Sequence, residues 1–410
     1  MKNLKWYWKT LLVLVAIVAV GLAARVTQHQ IPKLYFTGDI SEMLDKSDER
    51  QIAFKYVNDD QTVEGYAEIK IQGTSSINYE KKNYTLKFFE DSELTNKLKI
   101  DVGWGPQNKY CMKANWIDRT HARNVVTAKL AAKMQAKYDL LTQAPNHGLI
   151  DGFPVEIYDN GKFLGLYTFN IPKDDWQFGM DGDNPDHIVI CGEGWEPANL
   201  FKEMPDFDTW AVEVGDASEE TLSKMNRLFD FVINSTDEEF KKNFENYLNL
   251  DAALNYYVMA DMGYMADNLG KNMLIATYDG MEWYLSLYDL DSTWGTSYDG
   301  LSLVKYESNQ LNLSKNNLFR RMEIAFPQEL AQRYFELRED VLSNDNIMAE
   351  FEAFRDEIPA ITFQKEINRW GVGPIRKREE LPGFEYDQIR DYLEVMSSKL
   401  DEKYSAMLNR

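Results

Sequence analysis

The chain has few of the residues that build covalent or metal-stapled frameworks: among 410 residues there are two cysteines, Cys111 and Cys191, and four histidines, at 29, 121, 147 and 187. Two cysteines exclude a disulfide framework and a thiolate zinc cluster, and leave room for one bridge between them. The histidines lack the paired spacing of a zinc hydrolase, and no Gly-x-Ser-x-Gly elbow marks a serine hydrolase. Positive charge is scarce too, with 45 Lys and Arg against 66 Asp and Glu and a formal net charge of −21. Such a field repels phosphate backbones and excludes nucleic acid as a partner. Paired carboxylates are plentiful enough for a glycosidase, but nothing positive supports one. The Asp181–Asp186 segment DGDNPD hints at calcium, yet Pro185 breaks the loop pattern and the segment reads as a solvated turn.

Long apolar runs are limited to one, Leu11 to Ala24, whose 14 residues fall short of the roughly 20 that span a bilayer. Lys2, Lys5 and Lys9 precede this run and Arg25 closes it, the layout of a signal sequence with its positive end in the cytoplasm. Trp6, Tyr7 and Trp8 can extend the run into the membrane interface, and Gly21 and Ala23 suit a signal peptidase, so cleaved peptide and uncleaved anchor both stay open. Either way, residues 1–30 predict export, and the remainder an extracytoplasmic chain, membrane-anchored or secreted.

What is abundant is core material, 44% hydrophobic and 13% aromatic, with 10 Trp and 23 Tyr. From Leu34 to Lys99 short alternating segments separated by polar turns predict antiparallel strands. Val125, Val126, Leu130 and Met134 stand at helical spacing and predict a helix over residues 120–137. Asp159-Asn160-Gly161 and Asp279-Gly280, each between apolar-alternating runs, predict two hairpins. Residues 180–205 are rich in Gly, Pro and Asp without a period and read as a long surface excursion. Helical patterns dominate residues 218–264 and, after the second hairpin, everything beyond Leu311. With no repeat and no separating linker, residues 31–410 read as one α+β unit in two lobes, β-rich first and α-rich last.

Two segments carry chemistry. Asp267 and Asn272 stand five apart after a helix, and the second hairpin then delivers Asp289 and Asp291 in YDLDSTWG. Phosphoryl transfer needs a carboxylate to orient the attacking hydroxyl and oxygen ligands to hold a divalent cation, and kinases meet the need with this order of parts. Upstream, a strand ends at Gly73, Thr74, Ser75 and Ser76 form a turn, and Lys81 and Lys82 open the returning strand. Backbone amides of such a turn can approach phosphates, with a strand lysine supplying charge.

These residues resemble the spore-coat CotH kinase family. The resemblance runs from about residue 34 to the C-terminus and rests on Gly73 to Phe88, Asn115 through Asp118 to Arg123-Asn124, the Asn160 to Tyr167 hairpin, Asp267 to Asn272, and Asp289 to Gly295, in the family's order. It implies an atypical two-lobed protein-kinase-like fold that binds ATP with Mg2+ or Mn2+ and phosphorylates Ser or Thr of protein partners at a cell surface or coat. Asp267 matches the catalytic aspartate, Asn272 and Asp289 the metal positions, and Lys82, with Lys81 as fallback, the phosphate-binding lysine. Arg123 matches an arginine that either clamps a phosphate or pairs with Asp118. Asp291 is a metal ligand or, more in keeping with its place before Thr293, a turn residue. The chain departs from the family where some relatives have a glutamate, reading Phe169-Asn170-Ile171-Pro172-Lys173, so an acid to pair the lysine must come from elsewhere, such as Glu156 or Glu193. Tyr288 stands where a tryptophan is common. The competing expectation is an inert surface adhesin or envelope and coat assembly protein that keeps the fold without turnover.

Overall fold

A computed structural model of the chain describes residues 31–300, 304–305, 308–371 and 382–409. The segment read as an export signal lies outside the described residues, among which no helix is long and apolar enough to cross a membrane.

The N-terminal half closes a barrel. Strands β1 (Lys33–Thr37), β2 (Glu49–Val57), β3 (Thr62–Gln72), β4 (Asn83–Phe89), β5 (Lys109–Lys113), β6 (Gly152–Asp159) and β7 (Lys162–Asn170) pair in the order β1-β2-β3-β4-β5-β7-β6, and a parallel β1–β6 ladder seals the ring. Alternation drives this. In β2, Ile52, Phe54 and Tyr56 are buried between exposed neighbours, and with Leu34, Ile69, Leu86, Phe88, Tyr110 and Phe169 they fill the barrel. Each such side chain contributes about 1.5–3 kcal/mol when removed from water. The expected β6–β7 hairpin turns on Asn160 and Gly161, both at positive φ (48° and 75°), the two-residue turn that an Asn-Gly step favours.

The second half combines helices with a small antiparallel sheet. The helices are α1 (Arg123–Lys137), the single turn α2 (Asp175–Phe178), α3 (Glu219–Asn234), α4 (Asp237–Asn243), α5 (Leu250–Met262), α6 (Asn317–Ala325), α7 (Pro327–Arg338), α8 (Asn344–Asp356), α9 (Ala360–Trp370) and α10 (Pro382–Leu408). Strands β8 (Ile188–Gly192), β9 (Trp210–Val214), β10 (Met273–Thr277) and β11 (Trp283–Leu287) lie in the order β11-β10-β8-β9. The second core forms around this sheet and α5, which is buried on every side from Ala252 to Met262.

Residues 180–205 are therefore not simply a surface excursion. They contain β8, a wholly buried strand between β10 and β9. Its run Ile188-Val189-Ile190-Cys191 is too short to show a period, and the Gly, Pro and Asp on either side mask it. Cys111 on β5 and Cys191 on β8 are both free and buried, so no bridge joins them.

One buried ion pair docks α9 on the barrel. Lys81 Nζ, at the mouth of β4, meets Glu366 Oε1 at 2.6 Å and donates to the carbonyls of Ala114 (3.0 Å) and Leu166 (2.5 Å). All three of its donors are used. Glu366 Oε2 also accepts from the Leu166 amide at 2.6 Å, and Trp370 Nε1 donates to the Leu164 carbonyl at 2.6 Å. The approach requires Gly165, since a Cβ there would stand 2.8 Å from Lys81 Cε and 3.0 Å from Trp370 Nε1.

His121 packs against this pair, with Nε2 3.9 Å from Glu366. Burial, reinforced by the Lys81 ammonium, pushes its pKa down to about 3. A histidine held neutral in the fold but protonated near pH 6.5 when unfolded stabilises the protein fully above pH 6.5, and that contribution is lost as pH falls toward 3. We expect about 2 kcal/mol of stability to disappear from this group between pH 7.5 and pH 5. Denaturant unfolding at the two pH values should show His121→Gln losing about that much less than wild type; an identical acid slope in the variant would place the titration elsewhere.

Candidate active site

The register of the β10–β11 hairpin assembles one wall of a cleft. Met273 pairs with Leu287, so Asn272, just before β10, lies next to Tyr288 and Asp289, just after β11. Asp267 opens a short helical turn, Asp267–Leu269, between α5 and the hairpin. Asn272 and Asp289 both adopt left-handed backbone, with φ of 61° and 55°. Asn and Asp accept that region better than other non-glycine residues, and it bends the chain sharply at each hairpin end. Asn268, between Asp267 and Asn272, donates Nδ2 to the Tyr288 carbonyl at 2.8 Å, while its own carbonyl accepts from the Tyr256 hydroxyl at 2.6 Å. The Asn272 amide donates to the Gly192 carbonyl of β8 at 2.8 Å.

The facing wall is the barrel turn after β3. Gly73 has φ 115°, and a Cβ there would lie 1.9 Å from Ser76 Oγ, so the tight turn depends on glycine. Between the walls is a cleft of about 280 Å3, lined by Gly73, Thr74 and Ser75 on one side and Asp267, Asn272, Asp289 and Asp291 on the other.

A buried joint holds the acidic wall in place. Arg123, at the start of α1, donates Nη1 to Asp118 at 2.5 Å, Nη2 to Gln388 of α10 at 2.8 Å and Nε to the Thr293 carbonyl at 3.1 Å. Asp118 also accepts from the Arg123 amide at 2.8 Å and the Thr120 hydroxyl at 2.7 Å. Next to it, Asn124 Oδ1 accepts the Leu290 amide at 3.0 Å, and Trp294 Nε1 donates to Thr127 at 2.7 Å. The residues from 290 to 294 are thus tied at several points to the first turns of α1.

Charge of both signs meets in the cleft. Burial raises the Asp267 pKa, Asp289 raises it further and Lys271 opposes. Asp291 is raised well above the carboxylate range by burial and by Asp289; Lys113 opposes, and Asp118 and Asp267 add lesser pressure. These carboxyl groups share a site, and the neighbouring lysines oppose their mutual repulsion without cancelling it. Four lysines, Lys46, Lys113, Lys173 and Lys271, line the same cleft. Lys173 is bound to Glu213 at 2.5 Å, and Lys113 reaches Asp289 only at 4.0 Å.

The structure thus brings Asp267, Asn272, Asp289, Gly73, Thr74 and Ser75 to one cleft, and Asp291 with them. It does not bring Lys82 or Arg123 there. Lys82 Nζ turns back to the carbonyls of Ile77 (2.7 Å) and Tyr79 (2.6 Å), bracing the turn after Gly73 from behind. Arg123 is fully buried in its pair with Asp118, the structural alternative of the two that the sequence left open. Lys81 takes its acid from Glu366 rather than from Glu156, which pairs with Lys365 at 2.9 Å, or Glu193, which lines the cleft. Sequence reasoning missed Lys113 and Lys173. Lys113 stands directly before Ala114-Asn115 of a motif already singled out, but β5 is buried on both faces and shows no alternation that would tell where its lysine points.

The family profile of CotH kinase protein matches residues 69–395. Among curated proteins, none matches the chain.

Removing the guanidinium would strand Asp118 as an uncompensated buried charge. Arg123→Met is expected to lower stability by about 3–5 kcal/mol, and denaturant melts check it; a loss under about 1 kcal/mol, as for a surface pair, would contradict the central place given to this joint.

Proposed function

The chain belongs to the CotH kinase family, and on that premise we propose that it transfers the γ-phosphate of ATP to serine or threonine hydroxyls of protein partners, using Mg2+ or Mn2+. The observation that carries this reading is the convergence of Asp267, Asn272, Asp289 and Asp291 on a cleft whose facing wall is the Gly73–Ser75 turn. The donor set fits a hard divalent cation: carboxylate and amide oxygens at an open cleft, with carboxyl groups whose mutual repulsion a cation relieves. When bound, that cation neutralises phosphate charge as the γ-phosphoryl group leaves.

The residues divide the work. Asp289 and Asn272 hold the cation, and Asp291, deeper in the same charge cluster, is a further oxygen ligand. Asp267 accepts the hydrogen bond of the attacking hydroxyl, orients it and takes its proton. The turn from Gly73 to Ser75 covers the phosphates with backbone amides. The acceptors are surface or coat proteins on the far side of the membrane, where residues 1–30 send the chain. An inert adhesin has no physical use for carboxyl groups crowded closely enough to raise one another's pKa, which costs stability that a bound divalent cation would return.

Asp267→Asn and Asp289→Asn separate the two tasks. With γ-labelled ATP and the chain itself or a generic protein as acceptor, Asp267→Asn should bind metal–nucleotide nearly as wild type does, with kcat reduced roughly 10²- to 10⁴-fold. Asp289→Asn should lose metal-dependent nucleotide binding together with turnover. Transfer by Asp267→Asn at the wild-type rate, or no transfer by wild type to any acceptor, would replace this reading with the adhesin or assembly one.

A further inference from the structure

Lys113 ends β5 with its side chain only 10% exposed, yet its ammonium is nearly unsatisfied. An ammonium has three donors. The contacts of Lys113 Nζ are a long hydrogen bond to the Tyr288 hydroxyl at 3.3 Å and the Asp289 carboxylate at 4.0 Å, beyond hydrogen-bond reach. Among the described residues its other donors meet no protein acceptor. Lys81, buried in the same barrel, has acceptors at 2.6, 2.5 and 3.0 Å and is complete. Burial takes water from the ammonium, and with one long hydrogen bond and one nearby carboxylate it has donors left for a ligand.

Its surroundings point to an anion. Tyr288 lies between two lysines, with Lys113 Nζ 5.3 Å and Lys173 Nζ 4.7 Å from its ring centre. Its hydroxyl accepts from Lys113 and, at 3.4 Å, from Gln72 Nε2 of β3. A phenol hydroxyl gives Lys113 a dipole rather than a counter-charge. Lys173 is already balanced by Glu213 at 2.5 Å. Both lysines line the cleft that also holds the carboxylates.

We propose that Lys113 binds the phosphates of the nucleotide, with Tyr288 holding the Lys113 ammonium at the cleft. The proposal rests on the phosphoryl-transfer reading and gives a β5 lysine the task that the motif resemblance gives to Lys82. Since Lys113 Nζ lies beside Asp289, the phosphates it meets are those next to the metal ligands.

Calorimetric titration of the full chain in detergent with Mg–ATP, and separately with Mg–tripolyphosphate, tests it in wild type, Lys113→Met, Lys113→Gln and Lys82→Met. Loss of a hydrogen bond to a charged group should weaken both ligands roughly 10- to 100-fold in Lys113→Met. Lys113→Gln keeps a partner for Tyr288 without the charge, so it should show the same loss and guards against misfolding of the apolar variant. Lys82→Met should weaken binding less than either. The ligand-induced rise in melting temperature should shrink in the same order. If wild type binds neither ligand, the phosphoryl-transfer reading fails and this proposal with it. If wild type binds and both Lys113 variants stay within about threefold, or if Lys82→Met loses more than they do, the Lys113 assignment alone is overturned. If the Lys113 variants lose ATP but keep tripolyphosphate, the contact is not with phosphate and the proposal likewise falls.

Discussion

Between the barrel and the helices, Arg123 and Asp118 form an ion pair with no exposure to solvent, and the geometry of the cleft depends on it. A pair of this kind adds little net stability, because desolvating both charges offsets most of their attraction, but it punishes any arrangement that separates them. Here that penalty fixes position. Asp118 belongs to the loop leaving β5, Arg123 to the first turn of α1, and the guanidinium also reaches Thr293 in the acidic turn and Gln388 in α10. Three distant stretches of chain are forced to meet, and the turn carrying Asp289 and Asp291 has one place to go.

The strained backbone of the site fits the same logic. Asn272, Asp289 and Trp294 all sit at positive φ, near 55–61°, which costs of order 1–3 kcal/mol each and persists only where the surroundings over-determine it. Those surroundings are the Asn124, Asn268 and Thr127 hydrogen bonds described above. Carboxyl groups are thereby held close enough to raise one another's pKa, while Lys271 and Lys113 oppose that rise without cancelling it. Carboxylates and ammonium groups share one cleft, an arrangement suited to a ligand that brings both a divalent cation and phosphate.

Much of the architecture was legible in the sequence. The alternation of β2 to β4, the Asn160-Gly161 turn and the spacing of Val125, Val126, Leu130 and Met134 each reflect local physics, and each element formed where that physics put it. The acidic residues of the site were legible because Asp267, Asn272, Asp289 and Asp291 bracket one hairpin, so short-range order already brings them together. The cations were not. Lys82 and Lys113 differ in where their ammonium groups go, a question settled by the Ile77 and Tyr79 carbonyls and by the Tyr288 ring, which lies 175 residues from Lys113 in sequence. Glu366, the partner of Lys81, is further away still, on a helix docked only by tertiary packing. Likewise β8 was hidden because a buried strand of five residues has no period to read.

The central claim is that this cleft is built to hold a divalent cation against phosphate. Anomalous diffraction from crystals grown with Mn2+ and a non-hydrolysable ATP analogue tests it most directly. The account predicts an anomalous peak within about 2.0–2.6 Å of oxygens from Asp289 and Asn272, with the γ-phosphate on the side of Asp267. An ordered nucleotide with manganese elsewhere, or no peak in the cleft at saturating metal and nucleotide, would contradict it.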